Sequence, residues 1–114
     1  MAGAHVLGDS IVITEFVFFQ FPAGAGRDQV FQNYGRTADS WLRNPDLVQK
    51  YYFFDAEAGT GGGVYIWHSR EDAARWHGDE YMAQVTALYG VAPRIQIFDA
   101  LLYVNPALGV KVEF

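Results

Sequence analysis

The stretch from residue 61 to residue 99 constrains the fold most, because it reads as strand, helix, turn and strand with almost no spare residues. Residues 64–68 alternate aliphatic side chains with aromatic or imidazole ones, which is typical of a strand. Ser69 precedes Asp72 by three residues, as in an approximate capping box, and predicts a helix start. We expect the helix to end at Gly90, and Pro93 to separate it from a strand at 94–103.

The predicted helix has one apolar face with two titratable groups on it. Spacings of four, four, four and three residues place Ala73, His77, Tyr81, Val85 and Leu88 on that face. We expect this face to point inward, with His77 in the middle of the helix and one turn before Tyr81. Both side chains would then lie inside the domain.

The remaining elements complete a β-α-β-β-α-β order. Residues 11–21, 47–54 and 64–68 are predicted strands, and 27–43 is a predicted helix, with a glycine-rich turn at 59–63. This order predicts an α+β, ferredoxin-like fold with an antiparallel sheet. We expect residues 1–114 to form a single domain, with a flexible start at 1–10 and a short tail strand at 109–114.

The first two strands are apolar on both sides. In the first, Ile13, Val17, Phe19 and Phe21 alternate with Val12, Phe16 and Phe18. Two helices can cover only one face of a sheet, and a large exposed apolar face is rare in a monomer. We therefore expect two copies to pack sheet against sheet as a homodimeric α+β barrel.

Charge and composition exclude several classes of partner. The net charge is −5, with Lys50 and Lys111 as the two lysines, so we expect no nucleic-acid partner. Cysteine is absent and the three histidines lack metal-ligand spacing, so no metal site is predicted. Without a dinucleotide fingerprint, a signal-peptide pattern or a membrane-spanning segment, we expect a cytoplasmic protein that has no membrane partner and needs no cofactor.

The helix-containing half resembles small monooxygenases of the antibiotic-biosynthesis and YdhR-like type. The matching elements are Tyr65-Ile66-Trp67, Ser69, Ala73-Ala74, Tyr81, Gly90, Pro93 and Phe98-Asp99. The resemblance covers residues 13–104 and implies a dimeric α+β barrel that oxidises its substrate without a prosthetic group. Family members often carry a histidine nearer Glu80, so the resemblance assigns no role to His77.

The candidate catalytic residues are His77 and Tyr81. Histidine titrates nearest neutral pH, so His77 could act as a general base, and Tyr81 could donate a hydrogen bond to a substrate oxygen. Candidate residues for binding an aromatic substrate are Tyr65, Trp67, Trp41, Tyr34 and His68. The alternatives are that His77 and the aromatic residues are core residues and that His68 is a solvated loop histidine.

Two classes of function follow. The first is a cofactor-independent monooxygenase that oxidises a small or polycyclic electron-rich aromatic with molecular oxygen, as the resemblance implies. Such a site needs a base, donors for the developing oxyanion and a dry cavity. The alternative is a non-enzymatic protein that binds a small aromatic or apolar ligand. A filled core with no pocket is the third possibility.

Overall fold

The structure is a computed structural model that describes residues 11–114, apart from the side chain of Tyr89, so the predicted flexible start lies outside the described residues. In chain order the elements are β1 Ile13–Gln20, α1 Arg27–Leu42, β2 Leu47–Asp55, β3 Thr60–Trp67, α2 Arg70–Trp76, α3 Asp79–Tyr89, β4 Arg94–Asp99, β5 Leu102–Asn105 and β6 Val110–Glu113. The strand order β2-β3-β1-β4, with antiparallel neighbours, confirms the predicted ferredoxin-like sheet.

The two faces of the sheet are set by the alternation of β1. Ile13, Glu15 and Val17 point to one face and are fully or almost fully buried. Residues of all three helices pack against the core on this side: Trp41 of α1, Ala73 of α2 and Tyr81 of α3. We call this side the covered face. The opposite side, to which the intervening residues of β1 point, is the bare face.

The bare face is a patch of aromatic rings. Phe18 lies 5.6 Å from Phe53, and Phe16 lies 6.2 Å from Phe18 and 6.1 Å from Phe98, measured between ring centroids. The guanidinium carbon of Arg94 is 4.3 Å from the centroid of the Phe18 ring. Phe98 is 53% exposed, so both sides of the sheet are apolar but residues 11–114 cover only one of them.

The predicted glycine-rich turn at 59–63 is wrong, because residues 61–63 belong to β3 and pair with both β1 and β2. The turn lies earlier, where the Asp55 carboxylate accepts hydrogen bonds from the backbone N–H groups of residues 57 and 58. Gly62 has φ +148, and a side chain there would collide with the backbone of Val17. The glycines therefore allow close strand pairing rather than a reversal of the chain.

The predicted continuous helix is interrupted. His77, with φ −124 and ψ 43, ends α2, and Gly78 precedes α3. The placement of His77 in mid-helix is therefore wrong, and Leu88, which is 78% exposed, does not share the inward face. Gly78 is a poor helix former, which accounts for the break. The predicted helix start is confirmed, since the Ser69 hydroxyl accepts a hydrogen bond from the Asp72 backbone N–H.

The predicted helix end is also confirmed, since Gly90 adopts the left-handed conformation at φ 79. The strand predicted at 94–103 is wrong, because β4 ends at Asp99 and β5 pairs with β6 in a separate hairpin. The tail strand is thus present as β6. Apolar side chains on and beside this hairpin are exposed: Leu101, Leu102, Val104, Leu108, Val110, Val112 and Phe114.

A change of register in β2 corrects one detail of the predicted alternation. The register shifts between Leu47 and Gln49, so Leu47 lies opposite Trp67 and packs on the covered face. Lys50 and Tyr52 point to the same face. Among the described residues, no helix has the length and apolar character needed to cross a bilayer.

Candidate functional site

A buried carboxylate lies at the centre of the covered face. Glu15 is 1% exposed and stands between Ile13 and Val17 on β1. Its Oε1 accepts a hydrogen bond from the indole Nε1 of Trp67 at 2.9 Å and lies 2.5 Å from Nδ1 of His77. Burying a carboxylate is costly unless it is paired and hydrogen-bonded, and these two partners meet that need. We call these three residues the Glu15 cluster.

The imidazole of His77 is oriented by this carboxylate. Because Oε1 also accepts from the Trp67 indole, we assign the shared proton to Nδ1 of His77. Within residues 11–114, Nε2 of His77 is the buried side-chain nitrogen or oxygen atom that lacks a hydrogen-bond partner. The imidazole is therefore fixed through one nitrogen while the other remains able to accept a proton or bind a ligand.

Aromatic rings enclose this imidazole. Ring centroids of Tyr81, Tyr65, Trp67 and Trp41 lie 4.3, 4.5, 5.6 and 5.9 Å from that of His77. The side chain is completely buried. The break between α2 and α3 places His77 here, because it ends one helix and so approaches the sheet before the chain turns into the next.

A cavity of about 280 Å³ lies between α1, α3 and the covered face. Four predicted site residues line it: Tyr34, Trp41, Tyr65 and Tyr81. Trp67 and His77 do not line the cavity, but both contact Tyr65, which is one of its lining residues. Trp41 and Tyr81 also line a larger outer groove of about 770 Å³ beside α2.

Two predicted binding residues lie outside this arrangement or at its edge. His68 is exposed, and its backbone N–H bonds the carbonyl of Asp46, away from the cavity. The Tyr34 hydroxyl accepts a hydrogen bond from the Gly62 backbone N–H at 2.9 Å and donates one to the Phe53 carbonyl at 3.0 Å. Tyr34 therefore ties α1 to the sheet as well as lining the cavity.

Sequence reasoning missed Lys50, which lies on β2 opposite Tyr65 and lines the cavity. Its Nζ is 3.8 Å from the ring centroid of Tyr52 and 4.4 Å from those of Trp41 and Tyr65. Burial lowers the pKa of the Lys50 ammonium to about 7. The signal in the sequence is a lone lysine directly before the aromatic run of residues 51–54, with the parity of the inward-facing Tyr52.

The hydroxyls of Tyr65 and Tyr52 at the cavity are held in the neutral form. Burial raises the pKa of Tyr65, and nearby ionisable groups raise it further. Burial also raises the pKa of Tyr52, whose hydroxyl lies 2.5 Å from that of Thr37. These side chains can therefore act as hydrogen-bond donors rather than bases.

Sequence reasoning also missed Glu15, although its parity in β1 matches that of Ile13 and Val17. A lone acid on the buried side of a strand was the available signal. Among the described residues, no group of three or more His, Asp or Glu side chains is placed to hold a metal ion.

No protein-family model matches the chain, and no curated protein matches it by sequence. Solved structures do match over most of their length. A heme-degrading protein from Mycobacterium tuberculosis has a TM-score of 0.60 and 16% identity, covering 85% of this chain and 99% of that one. SnoaB, a cofactor-independent oxygenase from Streptomyces nogalater, has a TM-score of 0.54 and 16% identity, covering 78% and 92%.

A third match is a protein from Caulobacter crescentus assigned as an antibiotic biosynthesis monooxygenase. Its TM-score is 0.55 at 18% identity, with 88% of this chain and 99% of that chain covered. At such identities the likeness concerns the fold. The chain thus shares the ferredoxin-like α+β fold of these solved structures, which is the fold that the sequence resemblance predicts.

Proposed function

We propose that the protein is a monooxygenase that oxidises an electron-rich aromatic substrate with molecular oxygen and without a prosthetic group. The observation that carries the proposal is the buried His77, whose Nε2 has no partner in residues 11–114 and whose ring contacts two walls of an aromatic cavity. The shared fold with SnoaB, itself a cofactor-independent oxygenase, supports it.

In this proposal the substrate lies against Trp41 and Tyr65 in the cavity. His77 removes a proton through Nε2, and Glu15 stabilises the imidazolium that forms at Nδ1. Tyr81 contacts His77 and lines the cavity, so it lies between them. Rotation of the Tyr81 side chain would open the way from the cavity to Nε2 of His77 and let the substrate reach this nitrogen. The substrate supplies all four electrons that reduce the oxygen molecule. One oxygen atom becomes a carbonyl oxygen of a quinone-type product, and the other leaves as water with the two hydrogens that the substrate loses.

Oxygen consumption across a panel of hydroxylated aromatics tests the proposal. General-base assistance contributes about a hundred- to ten-thousandfold, so H77A should lower turnover by that factor. H68A is the matched control, because His68 is exposed and away from the cavity. Circular dichroism checks the fold of both variants, and an H77A variant that is unfolded would make His77 a core residue. A folded H77A variant that consumes oxygen at the original rate would make His77 a packing residue.

The unpartnered Nε2 of His77 also favours a second candidate function, the binding of a haem-type ligand. A ligating histidine commonly donates its other ring N–H to a carboxylate, as His77 does to Glu15. Nε2 of His77 would hold the iron, and a haem, if bound, would supply the oxygen chemistry. Titration with hemin, followed by the visible absorption band, tests this, and H77A should weaken that band. The heme-degrading protein with this fold makes the test worthwhile.

The alternative that the sequence leaves open is binding of a small aromatic or apolar ligand without turnover. It would be supported if a ligand quenched the tryptophan fluorescence of the wild type but no member of the panel consumed oxygen. Trp41 lines the cavity and Trp67 contacts its wall, so both would report a ligand there.

We also propose that the protein is a homodimer joined through the bare face. The aromatic patch of Phe16, Phe18, Phe53 and Phe98, together with the exposed apolar hairpin β5–β6, is a large unshielded surface for a small domain. A second copy would cover both by packing sheet against sheet. Light scattering that shows a well-behaved monomer at micromolar concentration would contradict this.

A further inference from the structure

We propose that Lys50 is the group that takes the proton of a ring hydroxyl on the ligand and then holds the resulting phenolate as an ion pair. The proposal rests on the cavity being the ligand site, as in the proposed function, and specifies the ligand class: a planar aromatic with an ionisable hydroxyl.

The position of Lys50 carries the proposal. Its Nζ lies over the rings of Trp41, Tyr52 and Tyr65, at 3.8 to 4.4 Å from their centroids. All four residues line the same cavity. An aromatic ligand placed in this cavity would therefore meet ring faces and one basic nitrogen at the same point.

Among residues 11–114, no opposite charge is paired with Lys50. Besides Lys50, the ionisable side chains among the described residues that line the cavity are tyrosines: Tyr34 on α1, Tyr52 on β2, Tyr65 on β3 and Tyr81 on α3. Glu15 is paired with His77 in its own cluster.

Without a counter-charge among the described residues, two opposing effects set the pKa of the Lys50 amine. Ring faces favour the ammonium, whereas burial disfavours any charge, and burial dominates because the pKa is lowered to about 7. A phenolate within contact distance would supply the missing negative charge.

The step transfers the proton of the ring hydroxyl and breaks no other bond. The proton that His77 removes in the proposed function is a second one, lost from the ring carbon to which oxygen adds. The ligand O–H gives its proton to the neutral Nζ, which leaves a phenolate beside an ammonium. A carboxylic acid is ionised well below neutral pH and needs no base, whereas a phenol does. A nitrogen that is half unprotonated near neutral pH therefore suits a phenol-like hydroxyl, and the electron-rich phenolate is the form that oxygen attacks most readily.

The test uses 4-nitrophenol as the probe, because its phenolate has its own visible absorption. Wild-type protein should lower the pH at which the bound probe ionises by at least about one unit, since a nearby ammonium favours the phenolate. K50M keeps the length and apolar stem of the side chain. It should abolish this shift and weaken binding of the phenolate by about tenfold or more. K111M, in the exposed strand β6, is the matched control.

The outcomes separate the two proposals. A shift that disappears in K50M and persists in K111M supports the role of Lys50. A probe that binds K50M with the same ionisation as the wild type overturns that role but leaves the cavity as a ligand site. If K50M fails to fold, the wild type decides: a bound probe that ionises at the same pH as the free probe overturns the inference. A wild type that binds no probe overturns both.

Discussion

The covered and bare faces are built from alternate residues of the same strands, yet they differ in how their polar groups are used. On the covered face Glu15 is buried and accepts hydrogen bonds from Trp67 and His77. On the bare face the rings of Phe16 and Phe18 lie near other rings. The difference indicates two tasks. One face holds specific groups at fixed distances, and the other offers an apolar surface.

The difference has an energetic consequence. Removing one partner of a buried, hydrogen-bonded pair leaves a charge or donor without compensation, which costs more than the pair contributes. Removing a half-exposed apolar side chain costs only part of its transfer free energy. Substitutions on the two faces should therefore differ in size and in what they change.

The largest effect is expected from E15A. It removes the acceptor of both Trp67 and His77, and breaking a buried pair costs about 3–5 kcal/mol of unfolding free energy. Urea unfolding followed by tryptophan fluorescence measures it. T14A, the adjacent residue of β1 on the bare face, is the control and should lose about 1 kcal/mol or less. Equal losses in the two variants would show that the Glu15 cluster has no special stabilising role.

The next effect is expected from F18D on the bare face. Burying a phenylalanine is worth about 1.5–3 kcal/mol, and a symmetric interface contains it twice, so the dimer dissociation constant should rise at least about a hundredfold. Analytical ultracentrifugation measures the mass. F31D is the control, because Phe31 lies on α1 and is 68% exposed. An F18D variant with the mass of the wild-type dimer would place the interface elsewhere.

The smallest effect concerns Asp46, which lies at the surface beside α2. Hydrogen bonds from the Trp76 indole and the Arg75 guanidinium lower the pKa of its carboxyl below the usual value of 3.8. A lowered carboxyl pKa stabilises the fold above the unfolded pKa, and this contribution is lost as the pH falls through the folded pKa.

Urea unfolding of wild type and D46N between pH 7 and pH 2 measures this contribution. The wild type should be more stable at neutral pH, and the difference should vanish in acid. A difference that is constant with pH would show that the lost interaction is not ionic. Comparison with E15A then shows how much more unfolding free energy the buried Glu15 cluster contributes than the hydrogen bonds of Asp46 at the surface.

Much of the fold could be predicted because it depends on alternation and on helix signals. The apolar parity of β1, the cap at Ser69 and the stop at Gly90 are local patterns, and each is found as expected. The break at Gly78 was missed because the four-residue spacing from His77 to Tyr81 continues across it. The strand at residues 61–63 was missed because glycine usually signals a turn, whereas here it allows close pairing.

The site was only partly predictable. His77, Tyr81, Tyr65, Trp67 and Trp41 were named from their faces, and the structure brings them together. The two charged groups were not named, because a charge in an apolar strand is usually interpreted as pointing to solvent. Their inward orientation depends on which parity the helices cover, which is a property of the whole sheet.

Glu15 also has a consequence for how the chain avoids misfolding. A strand that is apolar on both sides could pair one residue out of place, since either set of side chains would fill the core. Such a slip would turn Glu15 towards the opposite face and leave the Trp67 indole and the His77 imidazole without their acceptor. Its partners are 52 and 62 residues away in sequence, on β3 and at the end of α2. Both hydrogen bonds therefore form only when β1, β3 and α2 are correctly aligned. One acid thus selects the correct pairing among alternatives that the apolar residues alone would not distinguish.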